Sequence, residues 1–317
     1  LNLDSVYNAM DYIDDKSIER IKSLSYNSAN ELFSQEVDVL FYDATTLYFE
    51  SFTEDELRSK GFSKDHKSQE VQVLLSIFVT DYGIPVGYDL FPGSTYEGHT
   101  LIKALDNLKD RFKVGKVVFV ADSGMLQKDN IDLLELHGYE YIVGARIKNM
   151  SKSITESILS EENYINVSSN DSEDALKGKV IDLKGGKKLI VTKSAKRARK
   201  DAHDREVALQ KLEKKLKKGK SAKSVISGSG YKKFIKLARD SKIEINQEKI
   251  DKESRWDGLH GVTTNIKNID IGNVIAQYRG LWQVEETFRV TKHDLKIRPI
   301  YHWTEKKIKS HIALCFM

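Results

Sequence analysis

Two aspartates interrupt stretches of sequence that otherwise predict buried β-strands. In residues 37–49, apolar or β-branched residues occupy both faces of the predicted strand, and Asp43 stands in its middle. Asp122 ends the apolar run of residues 116–122 and precedes Ser-Gly, so it lies at the carboxyl end of a strand, where α/β sheets gather ligands. Each aspartate also has a structural interpretation, because Asp43 can bond to backbone groups and Asp122 can cap the following helix.

A third carboxylate, Glu285, lies on a predicted helix near the end of the chain. Apolar residues at helical spacing predict a buried stripe that faces a sheet, made of Ile271, Val274, Ile275, Tyr278, Leu281, Trp282, Phe288 and Leu295. Glu285 is placed on that stripe, one heptad after Tyr278 and one heptad before Lys292, whereas Glu286 is rotated away by about 100°. Because an unpaired buried charge is costly, Glu285 is expected to pair with a cation.

Three carboxylates over one sheet would bind hard divalent cations. Carboxylate oxygens without histidine or cysteine ligands favour Mg²⁺ or Mn²⁺ over Zn²⁺. Two such ions about 3.5–4 Å apart activate a water or a hydroxyl group and stabilise the leaving oxygen of a phosphate. The competing interpretation is an ion pair between Glu285 and Lys292 in a core-facing helix, but roughly 10 Å of helix separates these residues.

The sequence between the carboxylates predicts the sheet that would position them. Ser94 and Glu97 have the spacing of a capping box that opens a helix through Leu108. Further strands are predicted at residues 71–80, 86–91 and 139–144, and a further helix at residues 125–137. The order β-β-β-α-β-α-β, followed by a late helix with a carboxylate, is the ribonuclease-H-like arrangement. The predicted fold is therefore α/β, with a mixed sheet flanked by helices.

Residues 151–261 break this pattern and predict a β-rich insertion with a basic helical arm. Between Lys196 and Lys220, 11 Lys/Arg residues stand against 4 Asp/Glu residues, although the 317-residue chain has a net charge of only +4. A local basic arm indicates a polyanionic partner, while a solvated helix face is the commoner explanation of a charge run taken alone. Residues 1–36 are then an N-terminal helical segment, and residues 37–150 and 262–317 are the two parts of the core.

The remaining composition restricts the class of protein. The single cysteine, Cys315, excludes a disulfide framework and a cysteine zinc site, and it suits a reducing cytosol. No apolar run is long enough to span a membrane. Because the sequence starts at Leu1 and stops at Met317 inside an apolar periodic run, both ends are expected to be cut from a longer protein.

The sequence resembles the DDE transposases of bacterial insertion sequences, in the insertion-sequence-four-like group with a Tyr-x2-Arg-x3-Glu-x6-Lys signature. Tyr278, Glu285 and Lys292 match the signature, whereas Leu281 occupies its arginine position. The resemblance extends from residue 37 to the C-terminus and is strongest at residues 41–46, 120–124 and 278–292, continuing to 298–302. The long interval between Asp122 and Glu285 resembles that of relatives with a β-rich insertion before the glutamate.

This resemblance implies metal-dependent transposition of DNA. Asp43, Asp122 and Glu285 would be the catalytic residues and the ligands of Mg²⁺ or Mn²⁺. The implied partner is double-stranded DNA, both transposon ends and target, bound by a homodimer, and the implied location is cytoplasmic and nucleoid-associated in a bacterium. The expected DNA-binding residues are Tyr278, Arg279, Arg289, Lys292 and Arg298, with Lys214 and Lys215 of the basic arm and Trp256, whose ring either stacks on an unpaired base or belongs to the core of the insertion.

Three functions stay open at this point. The first is a transposase that cleaves DNA strands and transfers them at insertion-sequence ends. The second is a metal nuclease of the same fold that only hydrolyses, and the third is a catalytically silent DNA-binding protein derived from a transposase. The intact set of three acids favours an enzyme.

Replacing four lysines of the basic arm with glutamine is expected to weaken the salt dependence of DNA binding. The changes are Lys214→Gln, Lys215→Gln, Lys217→Gln and Lys218→Gln. Each side chain that neutralises a phosphate contributes roughly 0.9 to the slope of log affinity against log salt on duplex DNA. Duplex affinity measured over a series of salt concentrations checks this, and an unchanged slope would leave the arm as a solvated helix face.

Overall fold

The structure, a computed structural model, describes most of the chain. The described residues are 2–33, 39–63, 67, 69–111, 118–125, 128–167, 175–217, 232–237 and 243–317. They form two compact units, of which the first comprises Leu1–Gly144 and Thr263–Met317 and the second comprises Ala145–Val262. The insertion expected at residues 151–261 falls within the second unit.

The elements of the first unit follow the predicted order β-β-β-α-β-α-β after two N-terminal helices. The strands of the described residues are β1 (Val39–Tyr48), β2 (Gln72–Thr80), β3 (Pro85–Pro92), β4 (Val118–Ala121), β5 (Glu140–Gly144), β6 (Ile165–Asn166), β7 (Lys177–Asp182), β8 (Lys188–Lys193), β9 (Ile235–Leu237), β10 (Ile243–Ile245) and β11 (Leu259–Thr264). The α-helices in the same ranges are α1 (Leu3–Met10), α2 (Asp15–Phe33), α3 (Thr100–Arg111), α4 (Lys128–Leu136), α5 (Lys152–Leu159), α6 (Ala195–Lys217), α7 (Gln247–Ser254), α8 (Ile271–Arg279), α9 (Trp282–Arg289) and α10 (Glu305–Phe316). A π-helical turn, Val290–Asp294, follows α9.

The sheet of the first unit is mixed. Its strands pair in the order β3-β2-β1-β4-β5. The pairs β1–β2 and β2–β3 are antiparallel. The short connection between β2 and β3 is typical of such a pair. β1, β4 and β5 run parallel to one another. This mixed sheet with flanking helices confirms the predicted ribonuclease-H-like fold.

Different helices bury the two faces of this sheet. On one face, Tyr42 of β1 and Ala121 of β4 join a core that includes Leu105 of α3 and Leu134 of α4. On the other face, α8 packs against β4 and β5, and α9 packs against β1 and β2. Burial on both faces explains why the central strands read as nearly continuous apolar runs.

The capping box predicted at Ser94 and Glu97 is wrong. Glu97–His99 form a 3₁₀ turn without a side-chain cap, and α3 begins only at Thr100. The backbone N–H of Ser94 instead donates to Oγ of Ser59 at 2.8 Å. A tertiary contact with the loop after β1 therefore fixes this segment, in place of the local motif.

The single helical stripe predicted from Ile271 to Leu295 is divided in two. α8 ends at Arg279 with Gly280 as its C-cap, and α9 begins at Trp282. A Cβ atom on Gly280 would collide with the ring of Phe41. Glycine at this position therefore allows the junction of the two helices to lie directly on β1.

The described residues of the second unit form their own strands and two small cores. Within it, β11, β8, β7 and β6 are neighbours in that order. One core contains Ile147, Leu189 and Val191. In the other, Leu212 of α6 packs against Phe234 and Ile250, beside the β9–β10 hairpin, so α6 has one buried side and carries its basic residues elsewhere.

A bidentate salt bridge connects α6 to the turn before β11. Nη1 and Nη2 of Arg205 each donate to one carboxylate oxygen of Asp257 at 2.6 Å, and both side chains are mostly buried. The neighbouring backbone N–H of Gly258 donates to Asp201 on α6 at 3.0 Å. Because this geometry is bidentate and shielded from water, it is stronger than an exposed ion pair.

None of the helices in the described part of the chain combines the length and the apolar character needed to cross a membrane.

Asp257→Asn is expected to lower the free energy of unfolding of the second unit by about 2–3 kcal/mol, because it removes the charge that two guanidinium hydrogen bonds require. Denaturant titration measures the change. Glu248→Gln on α7 is the matched control, since both Glu248 and its partner Lys252 are exposed and the loss there should be much smaller. Equal losses in the two variants would show that the Arg205–Asp257 pair stabilises the protein no more than an exposed ion pair does.

Candidate active site

The pairing register brings the two aspartates to the same level of the sheet. Tyr42 and Ala121 are the last paired residues of β1 and β4, and Asp43 and Asp122 are the residues that follow them. Tyr42 and Ala121 both point into the core on one face, so side-chain alternation directs Asp43 and Asp122 to the other face. Neighbouring strands lie about 4.8 Å apart, so the backbones of the two aspartates are neighbours where the β1–β4 pairing ends.

The environments of the two aspartates differ. Asp43 is half-buried, and its Oδ1 accepts a hydrogen bond from the backbone N–H of Ala44 at 2.8 Å. Asp122 is exposed, and among the described residues none donates a hydrogen bond or forms an ion pair to its carboxylate. Asp122 therefore keeps oxygen lone pairs open toward solvent.

The segment from Gly280 to Lys292 covers the face of β1 that carries Asp43. Gly280 lies against the ring of Phe41, and Nζ of Lys292 donates to Oγ1 of Thr45 at 2.5 Å. Phe41 and Thr45 stand two residues before and after Asp43, and therefore on the same face of β1. Glu285 lies on α9 between these two anchor points.

Glu285 is not on the buried stripe, so that part of the prediction is wrong. Val284 and Phe288 are the buried residues of α9, and Glu285 is exposed beside them. Trp282 and Leu295, also assigned to the stripe, are 59% and 50% exposed. Val284 takes the buried position one residue earlier than expected, because α9 is a separate helix from α8.

The two adjacent glutamates of α9 have different partners. Glu286 accepts hydrogen bonds from Nε and Nη2 of Arg289 at 2.8 and 2.5 Å. This bond lowers the pKa of Glu286 and raises the pKa of Arg289. Within the described ranges, no hydrogen bond or ion pair engages Glu285. Glu285 is thus the glutamate that remains available to a ligand.

Tyr278 lies over the carboxyl end of β5. A Cβ atom placed on Gly144, the last residue of β5, would be 2.5 Å from Oη of Tyr278 and 3.0 Å from the backbone nitrogen of Ser123. Ser123 directly follows Asp122. The phenol group therefore lies beside the end of β4 as well, and the absence of a side chain at Gly144 makes room for it.

The other predicted DNA-binding residues of the first unit differ in availability. Arg279 is exposed at the end of α8. Arg289 is bound by Glu286 and lies 3.9 Å from Asp294. Cζ of Arg298 lies 5.8 Å from the centre of the Tyr48 ring, and burial lowers the pKa of Arg298.

The three predicted DNA-binding residues of the second unit are described separately. Trp256 is half-buried against the core that contains Ile147 and Leu189, and Nζ of Lys148 lies 6.0 Å from the centre of its ring. On α6, Lys214 is exposed and Lys215 is half-buried. Trp256 therefore has the packing of a core residue with one accessible part.

Thr45 is a residue of the site that the sequence prediction missed. Its signal was present, because Thr45 lies two residues after Asp43 on the same strand face. Its partner Lys292 is distant in the chain, and no local pattern joins the two.

Among the described residues, no group of three His, Cys, Asp or Glu side chains is placed to hold a metal ion.

The protein family described as Transposase DDE domain matches residues 35–317. The chain belongs to this family. No curated protein matches the chain.

Two transposases of known structure are similar to this DDE chain. One is the piggyBac transposase in a synaptic complex with hairpin DNA, with 9% identity, a TM-score of 0.46, and coverage of 95% of this chain and 52% of that chain. This chain therefore spans about half the length of that transposase. The other is the Mos1 transposase, in a paired-end complex with the left transposon end (17% identity, TM-score 0.25, 40% and 42% of the two chains) and in a mariner paired-end complex with Mn (18% identity, TM-score 0.24, 40% and 42%).

Gly144→Ala is expected to displace the Tyr278 hydroxyl of this DDE domain and to lower the free energy of unfolding by about 1–3 kcal/mol, the usual cost of overpacking. Combining it with Tyr278→Phe should recover part of the loss, because the nearest clashing atom is gone. Denaturant titration of the two single variants and the double variant measures this coupling. Gly124→Ala is the control, since a Cβ atom there meets no atom within 4 Å. Strictly additive effects would contradict the assigned contact.

Proposed function

We propose that this DDE transposase domain carries out metal-dependent cleavage and strand transfer of DNA at insertion-sequence ends. The observation that supports the proposal is the β1–β4 register, in which Asp43 and Asp122 each follow the last residues paired between the two strands, together with the packing of α9 against β1. Glu285 on α9 is the third acid of the set. Membership of the family supports the same reaction class.

The donor set fits a hard divalent cation. All three proposed ligands are carboxylates, and such oxygen donors suit Mg²⁺ or Mn²⁺. Mg²⁺ is usually held by one or two protein carboxylates together with waters and substrate phosphates. Two aspartates on neighbouring strands, with waters and a substrate phosphate, would meet that requirement. Bound there, the metal would supply Lewis-acid stabilisation of the charge that develops on the phosphate.

Lys292 and Tyr278 are proposed to hold the phosphate backbone at the two sides of the acids. The Lys292 ammonium is fixed to Thr45 on the Asp43 face of β1, so its positive charge lies near the position of a phosphate bound at Asp43. The Tyr278 hydroxyl lies at the ends of β4 and β5 and can donate one hydrogen bond. Leu281 replaces the arginine of the signature, and Arg279, exposed nearby, can supply a positive charge.

The remaining contacts are assigned to DNA further from the acids. Arg289 and Arg298 of the first unit and Lys214 and Lys215 of α6 would contact phosphates, and Trp256 would stack on an unpaired base. A homodimer on double-stranded DNA is proposed as the acting species. Each lysine or arginine contact adds affinity that depends on salt and not on sequence.

Asp43→Asn tests the central acid. Cleavage of end DNA in Mg²⁺ or Mn²⁺ is expected to fall by at least about 100-fold, because the metal contributes several kcal/mol to the transition state. Mn²⁺ affinity, measured by calorimetry without DNA, should fall as well, whereas DNA affinity and melting temperature stay unchanged. Normal cleavage by this variant would end the proposal.

Glu285→Gln and Glu286→Gln form a matched pair on the same turn of α9. The Glu285 variant is expected to lose cleavage as Asp43→Asn does. The Glu286 variant should keep cleavage within a few-fold, because its carboxylate is occupied by Arg289. The opposite ranking would assign the metal-binding role to Glu286.

The unmodified protein is expected to join the cleaved ends to target DNA. Cleavage without joining would identify a nuclease that only hydrolyses.

A further inference from the structure

Trp303 is an exposed aromatic residue with a fixed cation against its ring. It is 66% exposed and lies in the segment between the π-helical turn and α10. Cζ of Arg58 lies 5.7 Å from the centre of the Trp303 ring and 5.7 Å from the centre of the Phe49 ring. Arg58 therefore joins an exposed ring to a fully buried one.

Arg58 is itself immobilised. Its side chain is only 8% exposed, and its Nε donates to Oδ2 of Asp55 at 2.6 Å. Its backbone N–H donates to the other oxygen of the same carboxylate at 2.6 Å. A guanidinium held in this way supports the indole from one side while much of the Trp303 surface remains in water. The ring is thus positioned before any ligand arrives.

A second aromatic residue beside this one carries two cations. Nζ of Lys67 lies 5.2 Å, and Cζ of Arg298 lies 5.8 Å, from the centre of the Tyr48 ring. Within the described ranges, Nζ of Lys67 also lies 3.5 Å from a carboxylate oxygen of Glu70. Arg58, Lys67 and Arg298 are thus basic side chains placed against aromatic rings of this surface.

Backbone pairing brings the two aromatic groups together. The N–H of Ile300 donates to the carbonyl of Tyr48 at 3.1 Å, and Ile300 forms a parallel bridge with Phe49. Residues 298–303 consequently run beside the end of β1. The surface made by Tyr48, Lys67, Arg298, Tyr301 and Trp303 is called the β1-end platform below. Tyr301 is 68% exposed.

We infer that the β1-end platform binds an unpaired stretch of a DNA strand, with bases stacked on Trp303 and phosphates near Lys67 and Arg298. Exposed aromatic rings interleaved with basic residues form surfaces of this kind. A ring cannot reach the face of a base inside an intact duplex, so the fit is to single-stranded DNA. The inference rests on the proposed function for the choice of DNA as the partner.

The position of the platform supports this assignment. Tyr48 is five residues after Asp43 on the same strand, a distance of about 16 Å. One DNA strand advances about 3.4 Å per nucleotide along a duplex, so a strand whose phosphate is at Asp43 reaches the platform within about five nucleotides. Cleavage of a DNA strand whose phosphate lies at Asp43 generates a free strand end, and about five nucleotides of that end can separate from the duplex.

Trp282 provides a contrast in the same unit. It is exposed to a similar degree, 59%, but it lines a groove of about 600 Å³ whose other walls are largely apolar, including Leu295, Ile297, Phe316 and Met317. Among the described residues, no cation is recorded against the Trp282 ring, in contrast to Trp303. The two exposed tryptophans therefore differ in chemistry, which makes Trp282 a matched control.

The test is the binding of a fluorescently labelled short oligothymidylate in EDTA, followed by anisotropy. Trp303→Ala is expected to weaken binding by at least about tenfold, because loss of one base–aromatic stack costs that much. Trp303→Phe should retain most of the affinity, and Trp282→Ala should change it by less than about twofold. Lys67→Gln should lower the salt slope by roughly 0.7, the value for one phosphate of a single strand.

The outcomes separate this inference from the proposed function. Equal affinities of wild type and Trp303→Ala, at equal melting temperature, would overturn the platform, as would equal losses in Trp303→Ala and Trp282→Ala. Loss of duplex binding as large as the loss of oligothymidylate binding would show a general DNA contact in place of base stacking. Because EDTA removes metal chemistry, this binding measurement does not depend on cleavage. If the protein does not cleave DNA but Trp303→Ala still weakens oligothymidylate binding, the proposed reaction is wrong and the inference about the platform stands.

Discussion

The parallel pairing of β1 with β4 is the constraint on which the arrangement of the first unit depends. β1 has ten residues and β4 has four, so the two strands are neighbours over only part of the length of β1. Before that point, β1 is flanked on both sides by strands and covered on both faces, and its side chains must be apolar. At the end of β4 the flank opens. A charged residue in the middle of β1 is tolerated there because solvent and ligands can reach it.

The helices after the second unit complete this open corner. α8 places Tyr278 at the ends of β4 and β5, and α9 with the π-helical turn brings Lys292 to Thr45. The proposed site residues therefore come from different layers, with Asp43 on β1 and Asp122 directly after β4, and with Tyr278, Glu285 and Lys292 on the helical segment. A site built in this way depends on the packing of α9 against β1 more than on any single hydrogen bond.

Much of this arrangement was predictable from the sequence, for identifiable reasons. The strands around Asp43 and Asp122 were found because continuous apolar runs bounded by turns are a strong signal. The order of elements then indicated the sheet. Burial of Glu285 was predicted wrongly, because a stripe extrapolated across Gly280 treats two helices as one. The breakpoint depends on the fit of Gly280 against Phe41, which is a contact between distant parts of the chain. The capping box failed similarly, since Ser59 binds the Ser94 backbone. The Lys292–Thr45 bond and the position of Trp303 have no local pattern at all.

The break at Gly280 has a geometric consequence for how a chain can cover a sheet. Adjacent strands are rotated by roughly 20–25° relative to one another, so the surface from β5 to β2 is curved like a propeller blade. A single straight helix across this surface would contact the middle strands and lose contact with the outer ones. Two short helices joined at a glycine follow the curvature, and α8 packs against β4 and β5 while α9 packs against β1 and β2. The interruption therefore lets one continuous segment of chain stay in contact with four strands, and it sets the angle from which Glu285 approaches them.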